Sequence, residues 1–284
     1  MRIHREHIPG CVLRAEGPSD PPPLHWEMAD GRRMLLRRSA RPVLLARGDE
    51  DRGGARIHRR DGYRSPLPPI RADESRGMPD WTGRYASWLA GTDEGPLHAG
   101  RWVFGAREVF PPYVWGDDFL TAWPDVHLDW NDGWNGVVPL RELSAPDAPR
   151  VKAYRRQARE GTLAPVLLWW TTAFDGWLLL DGHDRAVAEL AEGRTPRTVV
   201  LARGKDEEGM AEDLALVSEE YERLMAHAFD APAPARQRTV RGLSDFAVSV
   251  PYDEARTRAW PIPGGPDEWD RWMLEFRHER DRDE

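Results

Sequence analysis

The most regular pattern of apolar and polar positions lies between residues 137 and 203. Residues 137–140 (Val-Val-Pro-Leu) form a short apolar run that predicts a β-strand. A helix is expected to begin at Pro149, because proline suits the first helical position, and to end before Gly161. The apolar side chains of this helix share one face, which is predicted to pack on the strands: Val151, Tyr154 and Ala158.

Two longer apolar runs follow, at residues 165–170 and 177–180. The segment between them contains Ala-Phe-Asp-Gly at 173–176, and an Asp-Gly pair suits a tight reversal of the chain. Neither run shows the polar alternation of a half-exposed strand. The pattern therefore predicts a hairpin that is buried on both faces.

A second helix is expected directly after this hairpin. It begins after Asp181 and Gly182 and stops at Gly193, and residues 198–201 then predict another strand. This order of elements indicates an α/β (α+β) fold. We assign this domain to residues 135–230, including a long amphipathic helix over residues 207–229.

The chain on either side of this domain has a different character. Residues 1–134 alternate short β-like runs with clusters of proline, glycine and charge, so they predict a β-rich region. Seven of the tryptophans lie between residues 79 and 134, which indicates a shared packed layer or, alternatively, a cleft or a surface for a protein partner. Residues 231–284 are expected to form a Pro/Ala linker and an amphipathic C-terminal helix.

Composition excludes several classes of protein. The chain has 284 residues, 40% of them hydrophobic and 31% charged, which is enough apolar material for a folded core. No run approaches the roughly 20 apolar residues of a membrane-spanning helix, and the N-terminus lacks a secretory signal, so we expect a cytoplasmic protein. A net charge of −8 disfavours a broad nucleic-acid surface, and the single Cys11 excludes an internal disulfide.

The turn at residues 181–185 (Asp-Gly-His-Asp-Arg) carries the main candidate chemistry. The first amide groups of a helix have no partner within the helix and face the positive end of its dipole, so they attract anions such as phosphate. Gly182 leaves room for a close approach, and Arg185 suits forked contacts with phosphate oxygens. His183 is expected to donate to a phosphate or to move a proton near neutral pH.

The ordered series of segments resembles the ParB/sulfiredoxin superfamily. The resemblance lies in Val-Pro-Leu at 138–140, the helix before Gly161, Ala-Pro-Val-Leu at 164–167 and Leu-Asp-Gly-His-Asp-Arg at 180–185. It covers less than a third of the chain. In that superfamily the corresponding turn binds nucleotide phosphates, and the Asp-Gly-His-X-Arg version looks most like the free-serine kinases.

The resemblance implies a set of site residues. Gly182, His183, Asp184 and Arg185 match the nucleotide-binding turn, and the nucleotide implied is ATP, ADP or CTP with Mg²⁺. The implied catalytic residues are Asp147 as the base, with Glu142 as the fallback, together with His183 and Asp181. The implied reaction moves a phosphoryl group to a small hydroxyl-bearing molecule, and nucleotide hydrolysis is a related possibility for the enzyme class.

The sequence departs from the kinase pattern at two places. Asp184 stands where the kinase version commonly has a second histidine, and the acidic pair of the kinases is reduced to Asp147. The competing hypothesis is a non-catalytic module that senses a nucleotide or binds a protein partner through the tryptophan-rich region. In a purely structural interpretation, Asp181 caps the helix through its carboxylate.

A second constellation suits a metal ion. Asp125, His127 and Asp129 alternate along the chain, so on a strand their side chains would face one way. Carboxylates and imidazole together suit Mg²⁺, Mn²⁺, iron or Zn²⁺. The simpler interpretation is that these residues pair with neighbours across a sheet.

Overall fold

Two β-sheets form the frame of the protein. The computed structural model describes residues 1–6, 11–18, 20–49, 51, 53–107, 112–116, 122–129, 136–227, 237, 240–244, 247, 249–250 and 255–283. The strands are β1 (Arg2–Arg5), β2 (Cys11–Glu16), β3 (Leu24–Ala29), β4 (Arg33–Arg38), β5 (Arg41–Asp49), β6 (Gly54–Arg59), β7 (Gly100–Arg107), β8 (Asp125–Asp129), β9 (Val137–Pro139), β10 (Val166–Thr171), β11 (Gly176–Asp181), β12 (Thr198–Arg203) and β13 (Ala259–Pro261).

α-Helices accompany these strands, and residues 240–244 are also helical. The numbered helices are α1 (Ala72–Gly77), α2 (Trp81–Ala90), α3 (Pro149–Arg159), α4 (His183–Ala191), α5 (Glu207–His227) and α6 (Gly265–Asp283), and a short 3₁₀ helix spans Pro112–Trp115. Mixed helices and strands confirm the predicted α+β class. None of the helices in the described ranges is long and apolar enough to cross a membrane.

The larger sheet has seven strands in the order β1-β2-β7-β12-β10-β11-β9. The pairs β10–β12 and β9–β11 are parallel, and the other neighbours are antiparallel. The predicted hairpin is confirmed as β10 and β11, and Asp175 in its turn adopts a positive φ of 52°. The predicted order strand, helix, hairpin, helix, strand is therefore confirmed from β9 to β12.

The smaller sheet has six strands in the order β13-β3-β4-β5-β6-β8. Its strands come from the region predicted to be β-rich, except for β13, which adds the segment Ala259–Pro261 beside β3. The C-terminal helix α6 covers the outer face of this sheet through Trp269, Met273 and Phe276. The C-terminal region is thus built into the fold of the N-terminal sheet, although the predicted linker at 231–235 lies outside the described residues.

The predicted boundary at residues 134 and 135 does not separate two sheets. Strand β7, from the N-terminal region, pairs along its length with β12, which belongs to the predicted C-terminal domain. The two sheets also enclose one apolar core, in which Trp26 of β3 packs edge-on against Phe174 with ring centroids 5.5 Å apart. Hydrogen bonding and core packing therefore join the two predicted regions.

The outer face of the larger sheet carries α3 and α4. Strands β10 and β11 send alternate side chains to the inner core and to this outer layer, which is why both were continuous apolar runs in the sequence. Helix α4 packs Ala186 on the sheet and Val187 against α3. By contrast, the long helix α5 buries only Val217 among its described side chains, so it packs less than predicted.

The tryptophans between residues 79 and 134 that lie in the described ranges serve mainly in packing. Trp102 is almost fully buried in the core, and Trp115 is buried beside β9 and β11. Trp81 and Trp88 lie on α2 in contact with Tyr85. Trp130 and Trp134 lie outside the described residues, and a protein partner for this region stays a prediction.

Candidate functional site

The turn between β11 and α4 has the predicted strand–glycine–helix form. Gly182 is the N-cap residue and adopts a left-handed conformation with φ of 95°. A Cβ atom at this position would lie 2.9 Å from Nη2 of Arg185 and from Cγ1 of Val166, so a larger residue does not fit. No side chain caps the helix, because the Asp181 carboxylate is paired with Arg185 instead.

His183 lies inside the protein. Its side chain is buried, and its Nε2 accepts a hydrogen bond from the backbone N–H of Leu140 across 3.1 Å. Burial, followed by the nearby charges of Arg141 and Arg185, holds the pKa of His183 well below its usual range. His183 therefore acts as a neutral acceptor that fixes the loop after β9. The prediction was that this side chain donates to a phosphate, but its Nε2 is directed at the Leu140 amide instead.

Arg185 is also turned inward. Its Nη1 donates to the hydroxyl of Tyr85 across 2.8 Å and to the carbonyl oxygens of Ala164 and Pro165. Its Nη2 pairs with the carboxylate of Asp181. All of these acceptors belong to the protein. The guanidinium was predicted to bind phosphate, but it connects the turn to α2 and to the start of β10 by hydrogen bonds.

Asp184 is the negative centre of a small polar cluster. Its carboxylate is buried, with Oδ1 accepting from Nη2 of Arg141 at 2.7 Å and from Oγ of Ser144 at 2.9 Å. Nε of Arg150 lies 3.4 Å from Oδ2. Arg141 and Ser144 follow β9, and Arg150 is in the first turn of α3. Asp184 therefore joins the beginnings of two helices.

Helices α3 and α4 run side by side in the same direction. Arg150 meets Asp184 at their N-terminal ends, and Arg155 meets Glu192 across 2.6 Å toward their C-terminal ends. Neither N-cap residue, Ala148 or Gly182, supplies a capping side chain. Two positive helix ends therefore converge at one edge of the larger sheet.

We call this region the helix-end site and define it as Arg141, Ser144, Arg150, Asp184 and the first turns of α3 and α4. The Arg150 side chain is 67% exposed and that of Arg141 is 29% exposed, so both guanidinium groups reach solvent. The site offers amide and guanidinium donors to an anion, but it already contains one internal carboxylate.

The two candidate bases lie on the loop between β9 and α3. Asp147 is exposed, two residues before α3, and makes no hydrogen bond or ion pair to another described residue. Glu142 is also exposed, and it lines a separate cleft beside α6. The structure thus brings Asp147 to the loop that borders the helix-end site and turns Glu142 toward a different surface.

The alternating residues Asp125, His127 and Asp129 lie on β8, as their spacing predicted. The register places Asp125 opposite His58, and Oδ1 of Asp125 is 2.9 Å from Nδ1 of that histidine. His127 is 4.0 Å from the carboxylate of Asp49. No group of three or more potential ligands in the described ranges is arranged for a metal ion. Cross-strand pairing accounts for the Asp125 contact.

Several residues of the site were not singled out from the sequence. Tyr85 reaches the turn from α2, 100 residues before Arg185, and no local pattern connects the two. The predicted base Asp147 is flanked by Arg141, Ser144 and Arg150. This position along the chain was the signal that could have indicated that they belong to the site.

Comparisons with protein-family models, with curated proteins and with solved structures find no match to this chain.

Proposed function

We propose that the protein binds the phosphate groups of a nucleotide at the helix-end site and does not transfer them. The observation that carries this proposal is the convergence of two helix N-termini without capping side chains beside two solvent-reaching arginines, Arg141 and Arg150. Helix N-termini and arginine forks are the groups that proteins most often use to hold phosphate.

The choice of binding over transfer follows from the inward-facing side chains. Phosphoryl transfer needs groups that position the nucleotide and stabilise charge at the reacting phosphate. His183 and Arg185, the side chains first expected in that role, both have internal partners. The enzymatic alternative, transfer to a small hydroxyl-bearing acceptor, retains Asp147 as an exposed carboxylate on the neighbouring loop.

The internal carboxylate of Asp184 sets the expected affinity. A phosphate must share Arg141 and Arg150 with Asp184, and it meets repulsion from that carboxylate. Two hydrogen bonds to charged groups contribute about 3 to 6 kcal/mol together, which corresponds to dissociation constants from roughly 6 mM to roughly 40 μM. We therefore expect a sensor that responds to abundant nucleotides, which agrees with a cytoplasmic location.

The expected ligands are ATP, ADP or CTP with Mg²⁺, as the likeness to the ParB/sulfiredoxin superfamily suggests. The helix-end site supplies donors for phosphate oxygens and fits them. It does not supply a pair of open carboxylates for the metal, since Asp184 is engaged by three partners. Mg²⁺ would be held mainly by phosphate oxygens and water, as is common for this ion.

A thermal-shift and calorimetric comparison of two arginine variants tests the proposal. Arg150→Gln removes a guanidinium of the site, whereas Arg156→Gln removes one on the same helix that pairs with Glu160. Mg²⁺ with ATP, ADP, CTP or GTP should raise the melting temperature of the wild type and of Arg156→Gln, and should raise that of Arg150→Gln less. Absence of any shift at about 10 times the weakest expected dissociation constant, or equal shifts in both variants, rejects the proposal.

The enzymatic alternative has its own readout. If the wild type consumes ATP in the presence of a hydroxyl acceptor and Asp147→Asn does not, while both bind ATP equally, the protein is a kinase. If neither protein consumes ATP although both bind it, the non-catalytic proposal stands.

A further inference from the structure

A large cleft lies on the outer side of the smaller sheet and shares no lining residue with the helix-end site. It has a volume of about 950 Å³ and runs between the β6–β8 edge of the sheet and helix α6. Sites for small organic molecules typically have volumes of about 300 to 1,000 Å³, so the cleft is large enough for one. We call it the outer cleft and define it by His58, Arg59, Arg60, Trp123, Arg277 and Arg282, with Phe276 in its α6 wall.

Arg59 brings a buried positive charge to the cleft. Its side chain donates to the carbonyl oxygens of Ala122, Pro124 and Pro139 at 2.5, 3.0 and 3.3 Å, and it pairs with no carboxylate within the described part of the chain. Burial lowers the pKa of Arg59 to about 10, so the group stays cationic at neutral pH. All of its hydrogen-bond acceptors are neutral, and the nearby carboxylate of Asp125 is the negative charge that acts on it.

Arg60 adds a second incomplete set of contacts. Its Nη2 pairs with Glu279, but its Nη1 is buried and has no hydrogen-bond partner among the residues that the structure describes. Leaving a buried donor of a charged group unsatisfied is costly, which indicates that a further acceptor belongs beside it. The remainder of the Arg60 side chain lines the cleft.

Arg277 and Arg282 complete the basic lining from helix α6. Both are exposed, and neither makes a hydrogen bond or ion pair to another described residue. Carboxylates also line the cleft, and two of them are already paired, Asp125 with His58 and Glu279 with Arg60. The remaining two are Asp61 and Glu142. Four arginines therefore face four carboxylates in the lining, and Arg277 and Arg282 are the two guanidinium groups that are left available to an anion.

Aromatic rings form the apolar part of the lining. The Trp123 ring lies 4.9 Å from the Arg59 guanidinium carbon, and the Phe276 ring lies 5.7 Å from that of Arg60. Each ring therefore stands next to a cationic group. This arrangement suits a ligand in which a flat ring carries an anionic substituent, because the ring packs on the aromatic side chains while arginine forks hold the anion.

We propose that the outer cleft binds a small aromatic anion, whose carboxylate or phosphate group is held by Arg60, Arg277 and Arg282 and whose ring lies against Trp123 and Phe276. This proposal does not depend on nucleotide binding at the helix-end site. The two sites use different arginines, and no residue of the helix-end site lines the cleft.

Calorimetric titration of the full chain with benzoate, phenyl phosphate and the neutral analogue benzamide tests the proposal. We expect one molecule of an anion to bind at the outer cleft of each chain, and benzamide to bind at least tenfold more weakly. Phenyl phosphate bound at the helix-end site is recognised because it is weakened in Arg150→Gln. A preference for benzoate assigns the site to carboxylates, and a preference for phenyl phosphate assigns it to phosphate esters. Equal binding of benzamide, or no binding of either anion at about 10 times a millimolar dissociation constant, overturns the proposal.

Variants on the surface of α6 supply the matched comparison. Because Arg277 and Arg282 are exposed and pair with no residue that the structure describes, the double variant Arg277→Gln/Arg282→Gln should fold normally and bind the anion about tenfold more weakly. Arg271→Gln, on the same helix but paired with Glu268 and Glu275 outside the cleft, should bind like the wild type. Unchanged binding in the double variant overturns the proposal. Arg150→Gln should leave this binding unchanged, so failure at the helix-end site is recognised separately.

Discussion

The backbone N–H of Leu140 donates to Nε2 of His183 across 3.1 Å and so fixes the loop after β9 to the first residue of α4. Leu140 is followed by Arg141, which pairs with Asp184, and preceded by Pro139, whose carbonyl oxygen accepts from Arg59. The same short segment therefore borders the helix-end site on one side and the outer cleft on the other.

The buried neutral imidazole of His183 predicts a pH-dependent stability. Its pKa is lowered in the folded protein, while the unfolded chain takes up a proton near pH 6.5. Below about pH 6.5 the unfolded state therefore binds more protons than the folded state. The contribution of His183 to the free energy of unfolding is complete above about pH 6.5 and is lost as the pH falls below that value. A buried neutral histidine of this kind lowers the free energy of unfolding by about 1.4 kcal/mol for each unit that the pH falls, between roughly pH 6 and 5.

Urea unfolding of the wild type and of His183→Gln between pH 7.5 and pH 5 checks this prediction, since glutamine keeps an acceptor near the Leu140 amide. The buried His98, whose pKa burial lowers to about 4, contributes a similar slope and remains in the variant. We expect the slope of the variant to be smaller by about one proton. Identical slopes in the two proteins contradict the burial of His183 in its neutral form.

Two buried tyrosines predict graded losses of stability. The Tyr85 hydroxyl donates to the carbonyl oxygen of Pro165 and accepts from the charged Arg185, whereas the Tyr63 hydroxyl makes one neutral hydrogen bond, to the carbonyl oxygen of Leu180. Tyr85→Phe should lower the free energy of unfolding by about 2 to 3 kcal/mol, and Tyr63→Phe by about 1 kcal/mol. Denaturant titration of both variants measures the two losses of unfolding free energy. A larger loss in Tyr63→Phe than in Tyr85→Phe contradicts the prediction.

Helix α6 predicts a contrast between two of its residues. Trp269 is buried against the outer face of the smaller sheet, and its Nε1 donates to the carbonyl oxygen of Met34, whereas Leu274 is 55% exposed. Trp269→Ala should cost about 3 to 5 kcal/mol of unfolding free energy, and Leu274→Ala less than about 0.5 kcal/mol. Melting temperatures of the two variants distinguish these cases. Similar small effects would show that α6 is dispensable for the fold.

Local patterns predicted the elements from β9 to β12 because each carried its own signals. Pro149 marks the first residue of α3, and Gly161, with φ of 70°, follows its end. The Asp-Gly pair at the hairpin tip and Gly182 before α4 act in the same way. Such signals lie within a few residues of the feature that they determine, so a single sequence reveals them.

The association of the sheets could not be predicted from such signals. Strand β7 pairs with both β2 and β12, and these partners are distant from it along the chain. Which strands become neighbours depends on the faces left uncovered after the whole chain has folded. The division of the chain at residue 134 followed changes in composition, and these do not report hydrogen bonding across the boundary.

The strand–glycine–helix form of the turn at residues 181–185 was predicted from the sequence, but the directions of its side chains were not. An arginine such as Arg185 is usually exposed and a histidine such as His183 is often partly exposed, so the sequence favoured contact with a ligand. Their internal partners, Leu140 and Tyr85, are far away in sequence, and burial follows only once those partners are in place. The groups left at the surface, Arg141 and Arg150, come from the neighbouring loop and helix.

The affinity of the Asp184→Asn variant for Mg²⁺-ATP tests the central claim most directly. If phosphate binds at the paired helix ends, removal of the neighbouring negative charge should tighten binding on the order of tenfold, although the variant loses stability. Glu160→Gln, at the C-terminal end of α3, should bind like the wild type. The comparison is made by calorimetry at a temperature where all three proteins are folded. Tighter binding in Asp184→Asn alone is the predicted result, and equal or weaker binding in the folded variant contradicts the account.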